Sequence, residues 1–259
     1  MISDPSGNDR RQRNHRPASE LSRRPRRRFI LLALGVALLG GTAWELGRIG
    51  SDPMPPGSLA AVDEAVDDWL DTPPTPGLTV ALDLASGLAS AGWVTGVTIT
   101  AAIGLVWKRR WDGLFVLGLA VPGGMALNLL LKALVHRPRP VADLWTPAFS
   151  DSGFPSGHTM AATLLYGALA TLTGRRLAGR RTRWVAILGA GALVGVVGWS
   201  RLKLGAHYLS DVLGAIAAGL AWLALCFAAG DALHHRLSRP THRRHYPAGR
   251  LPTGPHARP

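Results

Sequence analysis

Long apolar runs separated by arginine clusters constrain this chain more than any other feature. A membrane-crossing helix needs about 20 predominantly apolar residues. In lipid, every backbone polar group must also be satisfied within the segment, which favours helices. Phe29 to Gly47 ("FILLALGVALLGGTAWELG") is the first such run, and others cover about 91–107, 111–135, 154–173, 184–199 and 206–233. Residues 78–90 are mostly apolar too and read as a surface-lying or tilted approach to the second span. The predicted fold class is therefore all-α: a polytopic membrane protein with six transmembrane helices. The basic region before Phe29 also fits a secretory signal, and Arg23-Arg24 a twin-arginine one. No clear small-x-small cleavage site precedes the next polar stretch, so an uncleaved span is expected.

Three parts follow. Residues 1–28 are polar, carry nine arginines and read as a disordered basic cytoplasmic tail. Residues 29–235 form the six-span domain, and residues 236–259 a second basic cytoplasmic tail. Within the domain, the proline-rich stretch 48–77 encloses "SLAAVDEAVDDWLD". Leu59, Val62, Val66, Trp69 and Leu70 recur there at helical spacing with acids opposite, which predicts a short amphipathic helix lying on the membrane surface. Cys226 is the sole cysteine, so no internal disulfide is available, and it reads as a small apolar filler.

The net charge of +13 raises the question of nucleic acid. No segment resembles a reading helix or an aromatic-studded RNA surface, so no nucleic-acid partner is expected. Topology accounts for the charge better. With six spans, segments 1–28, 108–110, 174–183 and 236–259 share one side and hold 23 of the 29 Lys and Arg. Excess Lys and Arg marks the cytoplasmic side, so both termini are expected inside, with a contribution from anionic membrane lipid.

Six cations are left for the other side: Arg48, Lys132, Arg137, Arg139, Arg201 and Lys203. Five of them fall in 132–139 and 201–203, where orientation does not require them. His136, His158 and His207, the three histidines expected on the outer side, fall in or beside the same regions. Three stretches thus converge on one rim: "KALVHRPRP", "PSGH" and "SRLKLGAHYLSD". Pro155-Ser156-Gly157-His158 reads as a helix start in which Ser156 can cap, Gly157 admits a close approach, and unpaired N–H groups favour an anion. His207 and Asp211 are four apart and share a helical face. A carboxylate on one imidazole nitrogen leaves the other available as nucleophile or base. Lys132, Arg139 and Arg201 add positive charge, whereas Arg137, Lys203 and His136 read as ordinary end-of-span residues. Three cations, a helix N-terminus and two histidines suit phosphoryl transfer. A metal site is the rival use of His158, His207 and Asp211. Nearby cations would repel a divalent ion, and no HExxH or cysteine pattern is present.

The order K-x6-RP, PSGH, SR-x5-H-x3-D resembles the three-part signature of the type-2 phosphatidic acid phosphatase superfamily, the lipid phosphate phosphatases. It runs here from Lys132 to Arg139-Pro140, from Pro155 to His158, and from Ser200-Arg201 through His207 to Asp211. The resemblance implies a cofactor-independent, metal-independent reaction. In it His207 would form a phosphohistidine, Asp211 would orient it, and His158 would protonate the leaving oxygen and then activate water. Lys132, Arg139 and Arg201 would clamp the phosphoryl oxygens with the amides around Ser156, Gly157 and His158. The expected protein is an inner-membrane phosphatase acting on an outward-facing lipid phosphate. Undecaprenyl diphosphate is the first candidate, with phosphatidic acid and phosphatidylglycerol phosphate close behind. A lipid phosphotransferase and a non-catalytic lipid-binding or transport protein are the alternatives. Gly191 and Gly195 suggest close helix packing, within one chain or between two, and oligomeric state is not readable.

Overall fold

The computed structural model describes residues 59–135, 137, 139, 152–175 and 179–237, with side chains to 233, besides Ala33, Ala37 and Gly41. Those three isolated residues are helical; the rest of the expected first span, both tails and His136 lie outside the described residues. The described chain is all-helical, in seven helices. They are α1 (Leu59–Leu70), α2 (Pro76–Gly87), α3 (Ala91–Trp107), α4 (Trp111–Val135), α5 (Gly157–Gly174), α6 (Arg180–Lys203) and α7 (Leu209–Leu237).

Local chemistry sets the boundaries that matter. Thr75 caps α2, its hydroxyl accepting the Leu78 N–H at 3.4 Å, and Pro76 occupies the first turn where its missing N–H costs nothing. Ser90 caps α3 in the same way through Trp93 N–H at 3.3 Å. Together α2 and α3 make one apolar stretch of 32 residues, broken near Leu88. The Tyr166 hydroxyl on α5 donates to the Leu88 carbonyl at 2.7 Å and accepts from Trp93 Nε1 at 3.0 Å, so α5 braces the break. A broken helix is tolerated in lipid where neighbouring side chains satisfy the backbone groups it leaves open. The expected approach segment 78–90 is thus mainly helix α2, packed on α6.

Among the described residues, four stretches are long and apolar enough to cross a membrane by themselves: α2–α3, α4, α6 and the apolar part of α7. The expected fourth span, α5, is the exception, and its position explains why. It lies at the centre of the bundle against α4, α6 and α7. Met160, Leu164, Leu165 and Ala168 are buried in a core with Leu117, Leu223 and Phe227. A helix that meets protein rather than lipid can carry Thr159, Thr163 and Gly167, which lower its hydropathy. Thr159 and Thr163 hydroxyls are both satisfied within α5 and its cap.

Within the described chain, close helix approach comes from glycines of α7. A Cβ on Gly191 or Gly195 would meet nothing within 4 Å, so the α6 pair packs against no part of the described chain. On α7, by contrast, a Cβ at Gly214 would lie 2.3 Å from the Phe154 ring, and one at Gly219 2.8 Å from Thr163. Small residues at helix crossings are the usual means of tight packing in membranes. Trp107, Trp111 and Trp184 are exposed at the arginine-rich end, and Trp69 and Trp199 at the opposite end, forming two aromatic belts.

The amphipathic helix α1 forms as expected but does not simply lie on a membrane surface. It docks on the ends of α6 and α7. Its buried residues are Ala60, Asp63 and Leu70, while Val62 and Trp69 of the predicted apolar face are exposed. Leu70 joins Leu202 and Val212 in a small cluster with Val66, Leu209 and Ile216. Lys203 Nζ donates to the Leu70 and Thr72 carbonyls at 3.1 and 2.6 Å, capping the C-terminus of α1. Lys203 is therefore not an ordinary end-of-span residue.

Candidate active site

Four chain ends meet at the non-arginine end of the bundle: the last turn of α4 with residues 137 and 139, the start of α5, the α6–α7 turn, and α1 above them. The α6–α7 turn is built by Gly205. Its φ of 66° lies in the left-handed region that glycine enters without a Cβ penalty. Gly205 N–H bonds the Leu202 carbonyl at 2.9 Å and Ala206 N–H the Arg201 carbonyl at 3.1 Å, the paired bonds of a Schellman stop. The chain then reverses and presents His207 ahead of α7.

Asp211 fixes the start of α7. One carboxylate oxygen, Oδ2, accepts the Tyr208 N–H at 3.0 Å, an N3 side chain reaching back to the helix cap. The same oxygen faces His207 Nδ1 at 3.5 Å, an ion-pair distance rather than a formed hydrogen bond. The other oxygen, Oδ1, accepts from Arg137 at 2.8 Å. Asp211 is fully buried and His207 nearly so. Burial pushes the His207 imidazole below its ordinary range; Asp211 opposes that shift, and Arg201 and Arg139 add to it. The buried imidazole has its Nδ1 toward Asp211.

The α5 end is locked to the same place. Ser156 N–H donates to the Asp211 carbonyl at 3.1 Å. Ser156 stands at the cap position but its side chain makes no capping bond; its buried hydroxyl instead accepts from Thr159 at 3.0 Å. The expectation that the Ser156 side chain caps α5 is corrected accordingly. Asn128 of α4 donates to the Pro155 carbonyl at 3.4 Å from a fully buried position. His158, half-buried, is within electrostatic reach of Arg201, His207 and Arg139. Lys132 is within such reach of Arg139 and Asp211 and donates to the Ser152 carbonyl. Arg201 donates to Ser86 on α2 at 3.0 Å. All eight residues singled out from the sequence, Lys132, Arg139, Ser156, Gly157, His158, Arg201, His207 and Asp211, thus belong to segments gathered at this one end.

Several partners had no sequence signal strong enough to mark them. Arg137, read from sequence as an end-of-span cation, is buried between two carboxylates, Asp211 and Asp63, at 2.8 Å from each. Its guanidinium also lies 4.6 Å from the Tyr208 ring centroid. Asp63 accepts the Ser210 N–H at 2.8 Å and the Ser210 hydroxyl at 2.5 Å. Ser152 accepts the Arg137 N–H, and Gly153 N–H bonds the Arg137 carbonyl at 2.6 Å, which ties residue 137 to the segment leading into α5. The surplus of cations on the outer side was the available clue to Arg137; nothing local marked Asp63, Ser86 or Asn128. Among the described residues no group of three His, Cys, Asp or Glu is placed to hold a metal ion.

A family model for the PAP2 superfamily matches residues 113–234, from α4 through α7. Phosphatidylglycerophosphatase B of Bacillus subtilis is 30% identical over 168 residues, covering 63% of this chain and 80% of that protein. A crystal structure described as the first transmembrane PAP2-type phosphatidylglycerolphosphate phosphatase, also from Bacillus subtilis, superposes with a TM-score of 0.65 at 25% identity. The match covers 79% of this chain and 98% of that one. A UDP-N-acetylmuramate–L-alanine ligase from a Nocardioides species is 42% identical over 83 residues, only 17% of its length. That short match carries no argument about activity. The family match, the long-range identity and the shared helical architecture agree with the clustered residues: this chain belongs to the PAP2 superfamily and is a membrane lipid phosphatase.

Proposed function

We propose that the chain hydrolyses the phosphomonoester of phosphatidylglycerol phosphate, or of a closely related lipid, through a phosphohistidine on His207. The observation that carries this reading is the buried His207 held 3.5 Å from Asp211 and within electrostatic reach of Arg201 and Arg139. His207 Nε2 attacks phosphorus and the bond to the lipid oxygen breaks. His158 gives that oxygen a proton. Asp211 faces the imidazole as it becomes positive. Lys132, Arg139 and Arg201, with the amides at Ser156, Gly157 and His158, hold the three phosphoryl oxygens. Water then attacks phosphorus, His158 takes its proton, and the N–P bond breaks to release phosphate. A Cβ on Gly157 would meet only Asn128, at 3.7 Å, so protein packing does not demand glycine there, in keeping with room reserved for a ligand. The relatives' headgroup moves phosphatidylglycerol phosphate ahead of undecaprenyl diphosphate and phosphatidic acid.

A phosphate-release panel with purified protein in detergent tests the substrate. Phosphatidylglycerol phosphate is expected to be turned over with the highest kcat/KM, unaffected by a chelator and inhibited by vanadate, which mimics a pentacoordinate phosphorus. Release that stops with chelator, or none from any of the three lipids, would overturn the reading.

The site faces outward in this proposal, because the opposite end holds the arginine clusters. The sole native cysteine, Cys226, is buried, so a Gly179→Cys variant offers one reactive thiol. An impermeant maleimide is expected to label it in inverted vesicles and not in right-side-out ones; the reverse result would turn the molecule over.

A further inference from the structure

We propose that Asp63, carried on α1, is a positioning residue of the active site: through Arg137 it holds Asp211 and keeps that carboxylate's charge directed at His207. The inference rests on the role given above to Asp211 and deepens it.

Three buried charges lie in a row. Asp63 Oδ2 is 2.8 Å from one guanidinium nitrogen of Arg137, and Asp211 Oδ1 is 2.8 Å from another. Asp63 is 2% exposed, Arg137 9% and Asp211 0%. An arginine paired with Asp211 alone would cancel the negative potential that His207 needs as it gains positive charge. A second carboxylate on the far side of the arginine restores a net negative charge to the row. It also fixes Arg137 by a second bond, so that Asp211 is held in place from the side opposite His207. Charge-assisted bonds of this kind are the stronger class, and breaking a buried pair leaves an uncompensated charge.

Asp63 does more than balance charge. It accepts the Ser210 N–H and hydroxyl, so a carboxylate from α1 covers an open amide in the first turn of α7. Asp211 is the next residue. The same acid therefore sets both the arginine that touches Asp211 and the backbone that carries it. This explains why α1 turns Asp63 inward at the expense of Val62 and Trp69, and why Lys203 caps its end. The charged groups facing this row and His207 are Arg137, Asp211, Asp67, Arg201, Arg139, Lys132 and His158, with Tyr208 stacked on Arg137.

The test is kcat, KM and the acid limb of kcat/KM against pH for Asp63→Asn, Arg137→Gln, the double variant and Asp211→Asn, with detergent-solution Tm for each. Asp63→Asn keeps the shape but loses the charge. It is expected to lower kcat about tenfold with KM within about twofold, and to move the acid limb down by roughly one pH unit. Arg137→Gln removes the cation and is expected to move the acid limb up. The double variant again carries one net negative charge in the row, so its acid limb is expected to return toward the native position. A purely structural role would lower Tm without opposite pH shifts. If Asp63→Asn does not fold, Arg137→Gln decides alone: an upward limb supports the proposal and an unmoved limb overturns it. An Asp63→Asn profile matching the native one, beside an inactive Asp211→Asn, overturns this inference and leaves the phosphohistidine reading standing. An active Asp211→Asn overturns that reading instead.

Discussion

His207→Ala is expected to lower phosphate release from the lipid substrate by roughly 10⁴–10⁶-fold, the scale seen when a covalent nucleophile is removed. The substitution should leave insertion and the fold nearly intact. His207 sits in the turn between α6 and α7, where Gly205 and the Asp211 side chain, not the imidazole, make the backbone bonds. The lost imidazole makes no formed hydrogen bond with Asp211, so no buried donor is orphaned by its removal. A Tm within a few degrees of the native protein, together with turnover at background, is therefore the expected pair of results. The comparison that matters is with His158→Ala. That variant keeps the nucleophile and loses the acid, so the first step slows while hydrolysis of any intermediate slows as well.

Asp211→Asn should cost about 10⁴-fold, as when the acid of a catalytic triad is neutralised in place. Here the loss has three sources. The amide removes the negative charge that faces the growing imidazolium. It weakens the bond from Arg137, leaving a buried guanidinium with Asp63 as its remaining carboxylate partner. It can also turn its NH₂ toward His207 Nδ1 and fix the wrong tautomer. The pH dependence has a definite sign. Asp211 raises the His207 pKa against the larger lowering effect of burial. Without Asp211 the pKa falls further, so the acid limb of residual kcat/KM moves to lower pH while its plateau drops. A limb that moved upward would mean that Asp211 acts on some other group. Stability responds as well. A histidine whose folded pKa is depressed disfavours the folded state at pH values below the unfolded pKa, and the penalty grows as pH falls toward the folded value. The native protein should thus lose stability on acidification below about pH 6.5, the unperturbed imidazole value.

The spans were legible because lipid imposes one rule on every one of them, about 20 apolar residues with the charges outside. The helix that this rule describes least well is α5, which faces protein on all sides and so could admit threonine and glycine. The catalytic candidates were legible for a different reason. His207 and Asp211 are one turn apart, and Ser156 to His158 are contiguous, so local spacing carries their relation. The supports were not legible, because each is a pairing across sequence distance. Arg137 reaches Asp63 and Asp211 across 74 residues in either direction, and Arg201 reaches Ser86 across 115. The amphipathic helix α1 was legible from its spacing, but the inward turn of Asp63 was not, because its partner Arg137 lies 74 residues away.

The most direct test of the central claim is to trap the phosphoryl group. A lipid phosphate labelled with ³²P is mixed with the His158→Ala variant, quenched in alkali within milliseconds, and digested. An acid-labile, base-stable label on the peptide carrying His207, absent when His207 is also replaced, is the result expected of a cage that delivers phosphorus to this imidazole. Labelling of another residue, or full turnover with no labelled peptide, would contradict it.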